Sequence, residues 1–278
     1  QVLTTAEMVA NANFIQLETA DGQIQVPAQV IAVDYEANLA LLEPIADNDK
    51  ETISKLPGLE LAEPAHLGDS VDIVQIEDNG MTLITEGKIQ GAEVVSSFVA
   101  GHFFLIYEVK ASMQSAANSF TLPVLKDDKL LGLLTSYSSK DQLTDVIAPE
   151  IIAAFLKDAA DGKYAGFPTL GIATNRTTDI HFRNWLKLPT NMGGLYVTRV
   201  RKNSAAESAG ILKGDVLVSI NGNPLDRRGY YQANGYGRLY WSHLIRGSQA
   251  VGSDLTLGIL RDGKEIEVKA TLARSPEG

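Results

Sequence analysis

Short apolar, strand-like runs separated by turn residues characterise the first 150 positions of the chain. In the run from Gln23 to Asp34, the apolar residues Ile24, Val26, Ala28 and Val30 alternate with glutamine or proline. A period of two predicts a β-strand that buries one face, and Pro27 places this strand near a sheet edge. Further strand-like runs lie at Asn13 to Glu18, Leu39 to Glu43, Val71 to Ile76, Met81 to Gln90, Phe103 to Lys110 and Leu130 to Thr135. Many short strands at this spacing predict a β-barrel or sandwich.

The pattern changes at Pro149, where we predict a helix that closes the first domain. Proline suits the first helical turn, Ile151, Ile152 and Phe155 follow at helical spacing, and Gly162 stands just past the end. Domain boundaries of 1–160 and 161–278 follow from this break.

The second half predicts a small α+β domain, because short strands alternate with two short helices. The predicted strands are Leu195 to Arg199, Asp215 to Asn221, Leu255 to Arg261 and Glu265 to Thr271, and the predicted helices are Ser204 to Gly210 and Gly237 to Ile245. No internal repeat or low-complexity tract interrupts this order.

Length and charge agree with two different domains. At about 150 residues per domain, 278 residues correspond to about two. Residues 1–160 carry 24 acidic and 8 basic side chains (net −16), whereas residues 161–278 carry 10 and 16 (net +6), which together make the chain's net charge of −10. An acidic first half argues against a chain that binds nucleic acid along its whole length.

Composition excludes several kinds of chemistry. The chain contains no cysteine, so disulfides, cysteine zinc sites and thiol nucleophiles are excluded. No run of about 18 apolar residues is present to span a bilayer. The acidic stretches Glu43 to Asp49 and Asp127-Asp128 lack the spacing of a calcium loop, and we expect solvated loops there. We expect no metal and no cofactor.

Two motifs in the first half resemble the HtrA/Deg family of trypsin-like proteases that carry PDZ domains. The stretch Val2 to Val9 reads VLTTAEMV, and in that family a similar motif, LTNAHVV, holds the catalytic histidine. Asn38 to Leu42 reads NLALL, where the family has DLALL with the catalytic aspartate. The resemblance implies a mainly β fold: a trypsin-like double β-barrel followed by an α+β PDZ domain.

The second half strengthens this resemblance. Leu170-Gly171-Ile172, Gly194 to Val197, Asn203 to Ala206 and Ala209 to Leu217 are similar to the PDZ domain of the same family. The junction GKYAGFP at 162–168 is most similar to plant-type Deg members.

The positions that match the family's catalytic triad hold other residues. Glu7 replaces the histidine and Asn38 replaces the aspartate. The family's GNSGGP motif corresponds to the stretch from Ala117 to Pro123, which reads ANSFTLP and lacks the glycines that let backbone N–H groups turn inward. Matching the Asn-Ser pair places Ser119 at the nucleophile, whereas counting back from Pro123 places Phe120 there.

These replacements predict a degenerate, catalytically inactive site. A serine needs a neighbour that accepts its proton near neutral pH and returns it to the leaving amine, and imidazole does this where a carboxylate does it poorly. The four histidines, His66, His102, His181 and His243, show no paired spacing, and we interpret them as surface or hydrogen-bonded residues. A Ser-Lys arrangement with Lys110 is a further alternative.

The resemblance implies that a peptide site survives in the second domain. A PDZ domain binds a chain end as an added strand, with the terminal carboxylate in a nest of backbone N–H groups. The nest would comprise Leu170, Gly171 and Ile172, and the pairing strand would run from Ile172 through Ala173 to Thr174. Tyr240, Trp241 and Leu244 would form the opposite wall, on the helix predicted at Arg238 to Ile245.

We therefore expect a non-catalytic HtrA/Deg-like protein that binds peptide C-termini or unfolded segments, as a scaffold, chaperone-like or regulatory protein. The alternative is an active serine endopeptidase of protein quality control that uses Ser119 with a non-standard base. A structural subunit of a homo-oligomer is a third interpretation. Arginines interleaved with aromatics at 226–247 permit a fourth, single-stranded nucleic acid, which the acidic first half disfavours.

Two expectations concern the surroundings of this chain. It begins at Gln1 in strand-like sequence, and we expect a leader and the first barrel strands to precede it; a second PDZ domain after Gly278 is left open. For a bacterial source, the resemblance implies the cell envelope or periplasm.

Overall fold

The first four strands form one antiparallel sheet. These strands are β1 (Val2–Thr4), β2 (Ile15–Glu18), β3 (Gln25–Asp34) and β4 (Leu39–Pro44), in the spatial order β1-β4-β3-β2. The computed structural model describes residues 1–114, 121–247 and 249–274. The chain divides into two units, Gln1–Tyr164 and Ala165–Gly278, and this sheet belongs to the first.

The alternating run that predicted β3 is interrupted at Val30. Val26 and Ala28 are buried as expected, but Val30 is 37% exposed, and burial resumes at Ala32 and Asp34. The register against β4 shifts between Val30 and Ala32, which is a β-bulge. A bulge disrupts the ladder locally and bends the strand, and Val30 lies at this irregularity. The expectation that Val30 is buried was therefore wrong.

A closed six-stranded barrel follows in the first unit. Its strands are β5 (Ser70–Ile76), β6 (Thr82–Ser96), β7 (Phe103–Lys110), β8 (Leu122–Lys126), β9 (Lys129–Ser138) and β10 (Leu143–Ile147), in the order β10-β7-β6-β5-β8-β9. Ile73, Leu105, Tyr107 and Leu131 are fully buried. Closure gives each of these six strands a neighbouring strand on both sides.

Three helices accompany these strands: α1 (Ala6–Val9), α2 (Asp47–Ser54) and α3 (Pro149–Ala159). In α3, Pro149 occupies the first turn and Ile151, Ile152 and Phe155 are fully buried, as the sequence predicted. The loop expected at Glu43 to Asp49 was wrong at both ends, because β4 extends to Pro44 and α2 begins at Asp47. This helix buries no residue, and acidic side chains in its first turn favour it through the helix dipole.

The second unit is built on a twisted antiparallel sheet. Its main path is β11 (Ile172–Arg176), β12 (Leu195–Val200), β13 (Val216–Ile220), β17 (Asp254–Arg261) and β18 (Lys264–Thr271), in that spatial order, with β14 (Asn223–Pro224) paired to β13. A separate hairpin pairs β15 (Tyr230–Ala233) with β16 (Gly237–Tyr240). The helices are α4 (Ile180–Trp185), α5 (Ala205–Ser208) and α6 (His243–Arg246).

The helix predicted from Gly237 to Ile245 was wrong in its first half. Residues 237–240 form β16, and only His243–Arg246 are helical. Gly235 and Gly237 have φ of +85° and +77°, conformations that glycine adopts freely and that reverse the chain tightly. Tyr230 and Tyr240 then stand opposite each other, with their ring centroids 5.6 Å apart in an edge-to-face contact.

The described residues contain neither a membrane-spanning helix nor a metal-binding cluster. No helix in ranges 1–114, 121–247 and 249–274 is long and apolar enough to cross a bilayer. The same ranges contain no cluster of three or more His, Asp or Glu side chains placed to hold a metal ion.

Candidate functional site

Glu7 and Asn38, the residues at the triad positions, lie side by side in the structure. The backbone N–H of Glu7 donates to Asn38 Oδ1 at 3.0 Å, and Asn38 Nδ2 donates back to Glu7 Oε1 at 3.4 Å. Glu7 is half-buried in the first turn of α1, whereas Asn38 is 1% exposed. The fold therefore brings together two positions that are 31 residues apart in sequence.

Local backbone geometry explains why asparagine suits position 38. Its φ of +58° is left-handed, a conformation that asparagine tolerates better than most side chains. Asp34 stabilises the preceding turn, because its Oδ1 accepts the Ala37 N–H at 2.8 Å. Asn38 Nδ2 also donates to the hydroxyl of Ser97 at 3.4 Å, so the amide links α1 to the end of β6.

Thr121, the first described residue after the predicted nucleophile positions, contacts the residue before α1. Thr5, just before α1, forms a hydroxyl–hydroxyl hydrogen bond of 2.6 Å with Thr121. Ser119 and Phe120 lie outside the described residues, so both registers for the nucleophile stay open. The hydrogen bond places Thr121 beside Thr5, which precedes Glu7 by two residues and occupies the N-cap position of α1.

Glu7 and Asn38 offer a carboxylate and an amide where a serine protease uses an imidazole and a carboxylate. An amide neither accepts a proton near neutral pH nor carries the negative charge that steadies an imidazolium. The Lys110 alternative finds no support in the geometry, since its ammonium is exposed and donates to Asp141 O at 2.6 Å. A lysine acts as a base when it is desolvated, and Lys110 is not.

One histidine, His102, contacts the turn that contains Asn38, although no motif in the sequence marks it as a catalytic candidate. His102 Nδ1 is 3.3 Å from Glu36 Oε2, and Glu36 precedes Asn38 by two residues. Both side chains are about one third exposed. No spacing signal could have found this imidazole–carboxylate pair, because β4 to β6 separate its members in the chain.

The predicted carboxylate nest has the backbone geometry that such a nest requires. Leu170 O accepts the Ala206 N–H and Gly171 O accepts the Arg201 N–H, both at 2.9 Å. In a trans peptide the C=O and N–H groups point in opposite directions, so the N–H groups of Gly171 and Ile172 point away from these partners. Two adjacent N–H groups with a common outward direction are the arrangement of an anion nest, and the binding of a carboxylate here stays a prediction.

Gly171 is the residue that this geometry demands. Its φ is +84°, and a Cβ at this position would lie 2.3 Å from the Cβ of Ser204. Ser204 caps α5, accepting the Glu207 N–H at 3.2 Å and donating to Arg201 O at 2.6 Å, so it has little freedom to move. Leu170 is 2% exposed, and its side chain therefore packs in the domain while its main chain shapes the nest.

The predicted pairing strand lies at an edge of the sheet. In the described chain, β11 pairs only with β12, and this leaves its other side open. Ala173 is exposed, and Ile172 and Thr174 are half-buried, as in a strand with one solvated side. An unpaired edge presents N–H and C=O groups to which an extended peptide can add.

The three residues predicted to form the opposite wall of the peptide site do not lie on one helix. Tyr240 ends β16, Trp241 lies in a turn and Leu244 lies in α6. Arg246 Nε donates to Pro168 O at 3.1 Å, which ties α6 to the segment leading into the nest. The roles of these three side chains in peptide binding stay predictions.

Buried polar atoms accumulate at the start of α6. Trp241 Nε1, Ser242 Oγ and His243 Nδ1 are buried, and none of them has a hydrogen-bond partner among the described residues. Burial lowers the pKa of His243 to about 4, because a charged imidazolium would lose its hydration there. His243 is therefore neutral at pH 7.

We expect His243 to make the second unit sensitive to acid. Its folded pKa lies below the unfolded value of about 6.5, so the unfolded chain binds more protons between pH 6.5 and 4. The free energy of unfolding should fall by about 2.5 kcal/mol between pH 7 and pH 4.5 through this group. Both tryptophans, Trp185 and Trp241, lie in this unit, so their fluorescence during urea unfolding reports it selectively.

A histidine substitution separates this contribution from those of other groups. His243→Leu should remove most of that decrease, whereas His181→Leu, at an exposed histidine of the same unit, should retain it. Equal pH dependence in the wild type and His243→Leu would contradict the assignment.

Comparison with known proteins agrees with the fold and with both motif regions. Residues 168–272 match the family described as PDZ domain. The solved HtrA-type protease AlgW in complex with a decapeptide superimposes with a TM-score of 0.70 at 18% identity, covering 99% of this chain and 80% of that one. A variant of it, AlgWS227A with decapeptide, gives a TM-score of 0.72 at 18% identity, covering 99% and 78%.

The mainly β prediction is thus confirmed: the chain has the fold of HtrA-type proteases, and its second unit carries a PDZ domain. Its sequence is similar to HtrA/Deg serine proteases along nearly the whole chain.

Curated relatives are similar along nearly the whole chain. Protease Do-like 4, mitochondrial, of Arabidopsis thaliana is 26% identical, with 96% of this chain and 51% of the relative covered. Putative protease Do-like 3, mitochondrial, of the same plant is 24% identical, with 99% and 49% covered. Periplasmic serine endoprotease DegP of Escherichia coli (strain K12) is 24% identical, with 99% and 55% covered. The chain spans about half the length of these relatives.

Proposed function

We propose that this protein is a non-catalytic HtrA/Deg-like protein that binds peptide C-termini or unfolded segments through its PDZ domain. The open edge of β11, entered through the left-handed Gly171, is the observation that carries the binding part. A carboxylate placed on the outward N–H groups of Gly171 and Ile172 would leave its chain free to continue along β11. The decapeptide complex of AlgW supports a peptide as the ligand of this fold.

The hydrogen-bonded pair of Glu7 and Asn38 supports the non-catalytic part. Their side chains satisfy each other where a serine protease requires a histidine and an aspartate. A hydroxyl in the neighbouring segment would then lack a base that shuttles its proton. The trypsin-like domain would act as a scaffold for the PDZ domain.

An active serine endopeptidase is the second candidate function, and the pair of His102 and Glu36 favours it. An imidazole held by a carboxylate at 3.3 Å is the combination that activates a serine hydroxyl. Ser119 would be the nucleophile, with His102 as a displaced base. Hydrolysis by this route would disappear in both Ser119→Ala and His102→Ala.

Incubation with unfolded casein separates the two functions. We expect the full chain to bind casein and leave it intact, because no base accompanies the hydroxyl at the triad positions. Pull-down measures the binding, and gel electrophoresis over several hours measures cleavage. Fragments that accumulate with the wild type and vanish with Ser119→Ala would establish the endopeptidase instead. Absence of both binding and cleavage would leave a structural subunit of an oligomer.

A further inference from the structure

A second concave site lies in the PDZ unit, away from the predicted peptide-binding residues. It is a cleft of about 620 Å³ between the loop at 190–193, β13 and the hairpin of β15 and β16. None of the described residues predicted to contact a peptide lines it. The cleft is therefore available to a ligand of its own.

Two guanidinium groups meet at the wall of this cleft. Arg183 is 1% exposed, and its Nη2 donates to Pro189 O at 2.9 Å and also to Met192 O. Arg227 Nη2 donates to the next carbonyl, Thr190 O, at 3.2 Å. The two side chains thus bond to consecutive carbonyls of one loop, and their positive charges lie close together.

Backbone contacts fix the two arginines in this arrangement. Arg183 Nη1 donates to Thr177 O at 3.2 Å, and the Thr177 N–H donates to Arg227 O at 2.9 Å. The carbonyl dipoles around Arg183 satisfy its hydrogen bonds without cancelling its charge. Burial, together with the charge of Arg227, lowers the pKa of Arg183.

No carboxylate compensates these charges in the described part of the chain. The one acidic residue lining the cleft, Asp226, is committed to other partners: it forms an ion pair with Arg238 and accepts the N–H groups of Arg228 at 2.8 Å and Tyr230 at 3.0 Å. Burial acts to raise the pKa of Asp226, but those backbone N–H groups and Arg238 lower it overall.

The charge count of the cleft is positive. The net charge of the lining residues is +1, from Arg227, Arg238 and Asp226. The buried Arg183, which bonds the loop at 189–192, raises the local net charge to +2. A low-dielectric wall strengthens the field of such charges at the open side. Arg227 donates one N–H to Thr190 O. A guanidinium has five N–H donors in a planar arrangement, and two of them can donate in parallel to two oxygens of a carboxylate or phosphate.

We propose that this cleft binds a small oxyanion, the carboxylate or phosphate group of a ligand, on Arg227. Arg183 supplies positive charge from behind, and Arg238, held over the ring of Tyr230 with 5.0 Å from its Cζ to the centroid, forms the far side. The ring of Tyr230 lines the same cleft and can contact an apolar part of the ligand. The proposal is independent of the PDZ peptide site and of any catalytic activity.

Calorimetric titration of the full chain tests this site with two probes, inorganic phosphate and succinate, at constant ionic strength. We expect saturable binding of at least one probe and about tenfold weaker binding by Arg227→Gln, since a charge-assisted contact is lost. Tighter binding of phosphate would assign a phosphate ligand, and tighter binding of succinate a carboxylate ligand.

Matched variants exclude general attraction and the peptide site. Arg228→Gln removes the same charge one residue along, at an exposed side chain that does not line the cleft, and should leave affinity unchanged. Gly171→Val should also leave it unchanged, whereas a probe bound in the carboxylate nest would be lost. Arg227→Lys keeps the positive charge but loses the planar pair of N–H donors, and its affinity for the probe should lie between those of the wild type and Arg227→Gln.

Three results would overturn the proposal: neither probe binds, Arg227→Gln and Arg228→Gln weaken binding equally, or Gly171→Val abolishes it. Thermal unfolding of each variant establishes that it is folded at the titration temperature. If Arg227→Gln does not fold, the comparison of Arg227→Lys with Arg228→Lys decides, and equal affinities of these two would count against the site.

Discussion

A Gly171→Val chain is expected to lose binding of C-terminal peptides by at least about a hundredfold, equivalent to about 2.7 kcal/mol. A φ of +84° is strained for any residue other than glycine, and the new Cβ would lie 2.3 Å from the Cβ of Ser204. Relief of that contact must turn the peptide planes at 170–172, and the two outward N–H groups then lose their common direction. Fluorescence anisotropy with a labelled peptide library measures the affinity.

A second glycine provides the control for backbone strain. Gly210 has a φ of +80° in the same unit, but no atom lies within 4 Å of a Cβ built there. Gly210→Val should therefore be strained to a similar degree and keep its peptide affinity. A peptide with an amidated C-terminus should bind the wild type weakly, since the nest requires a carboxylate. Unchanged affinity in Gly171→Val would disprove the site.

A Gly132→Ala chain is expected to destabilise the six-stranded barrel by about 4 kcal/mol or more. Gly132 lies in β9, where a Cβ would be 2.1 Å from Ile147 O and 2.6 Å from Val146 Cγ1. Both neighbours belong to β10, which pairs with β9 and with β7, so neither can withdraw without opening the barrel. Hydrogen exchange of the β9 and β10 amides measures the loss locally.

Gly58→Ala is the matched control for Gly132→Ala. Gly58 is exposed in the same unit, and a Cβ there meets no atom within 4 Å. Its stability should stay within about 0.5 kcal/mol of the wild type. If the β9 and β10 amides exchanged as slowly in Gly132→Ala as in Gly58→Ala, the close contact between β9 and β10 at Gly132 would be contradicted.

The two candidate functions depend on different residue pairs of the first unit. Glu7 and Asn38 occupy the triad positions as a mutually bonded pair, whereas His102 contacts Glu36, two residues before Asn38 in the turn between β3 and β4. The casein experiment distinguishes them because only the second pair contains an imidazole, the usual general base of a serine protease. Peptide binding at β11 is compatible with either outcome.

Much of the fold follows from local patterns. Alternation predicted β3, strand-like runs predicted β4, β5 and β7, Pro149 and the apolar spacing after it predicted α3, and further short strand-like runs predicted β17 and β18. These elements are set by interactions between residues close in sequence, and the buried faces repeat with the period of the element. The bulge at Val30 and the replacement of a predicted helix by β16 escaped prediction because partner strands impose them.

The candidate sites divide in the same way. The residue types at each motif can be read from the chain alone: a glycine between Leu170 and Ile172, and Glu7 and Asn38 in place of a histidine and an aspartate. Residue identity depends on no contact, so the motif resemblance is visible directly. Tertiary contacts were needed to show that Glu7 bonds Asn38 and that His102 meets Glu36. They were also needed to show that Arg183 and Arg227 bond one loop with no compensating carboxylate among the described residues. Each of these contacts joins groups held at their distance by sheet pairing and loop packing, and no spacing along the chain encodes that distance.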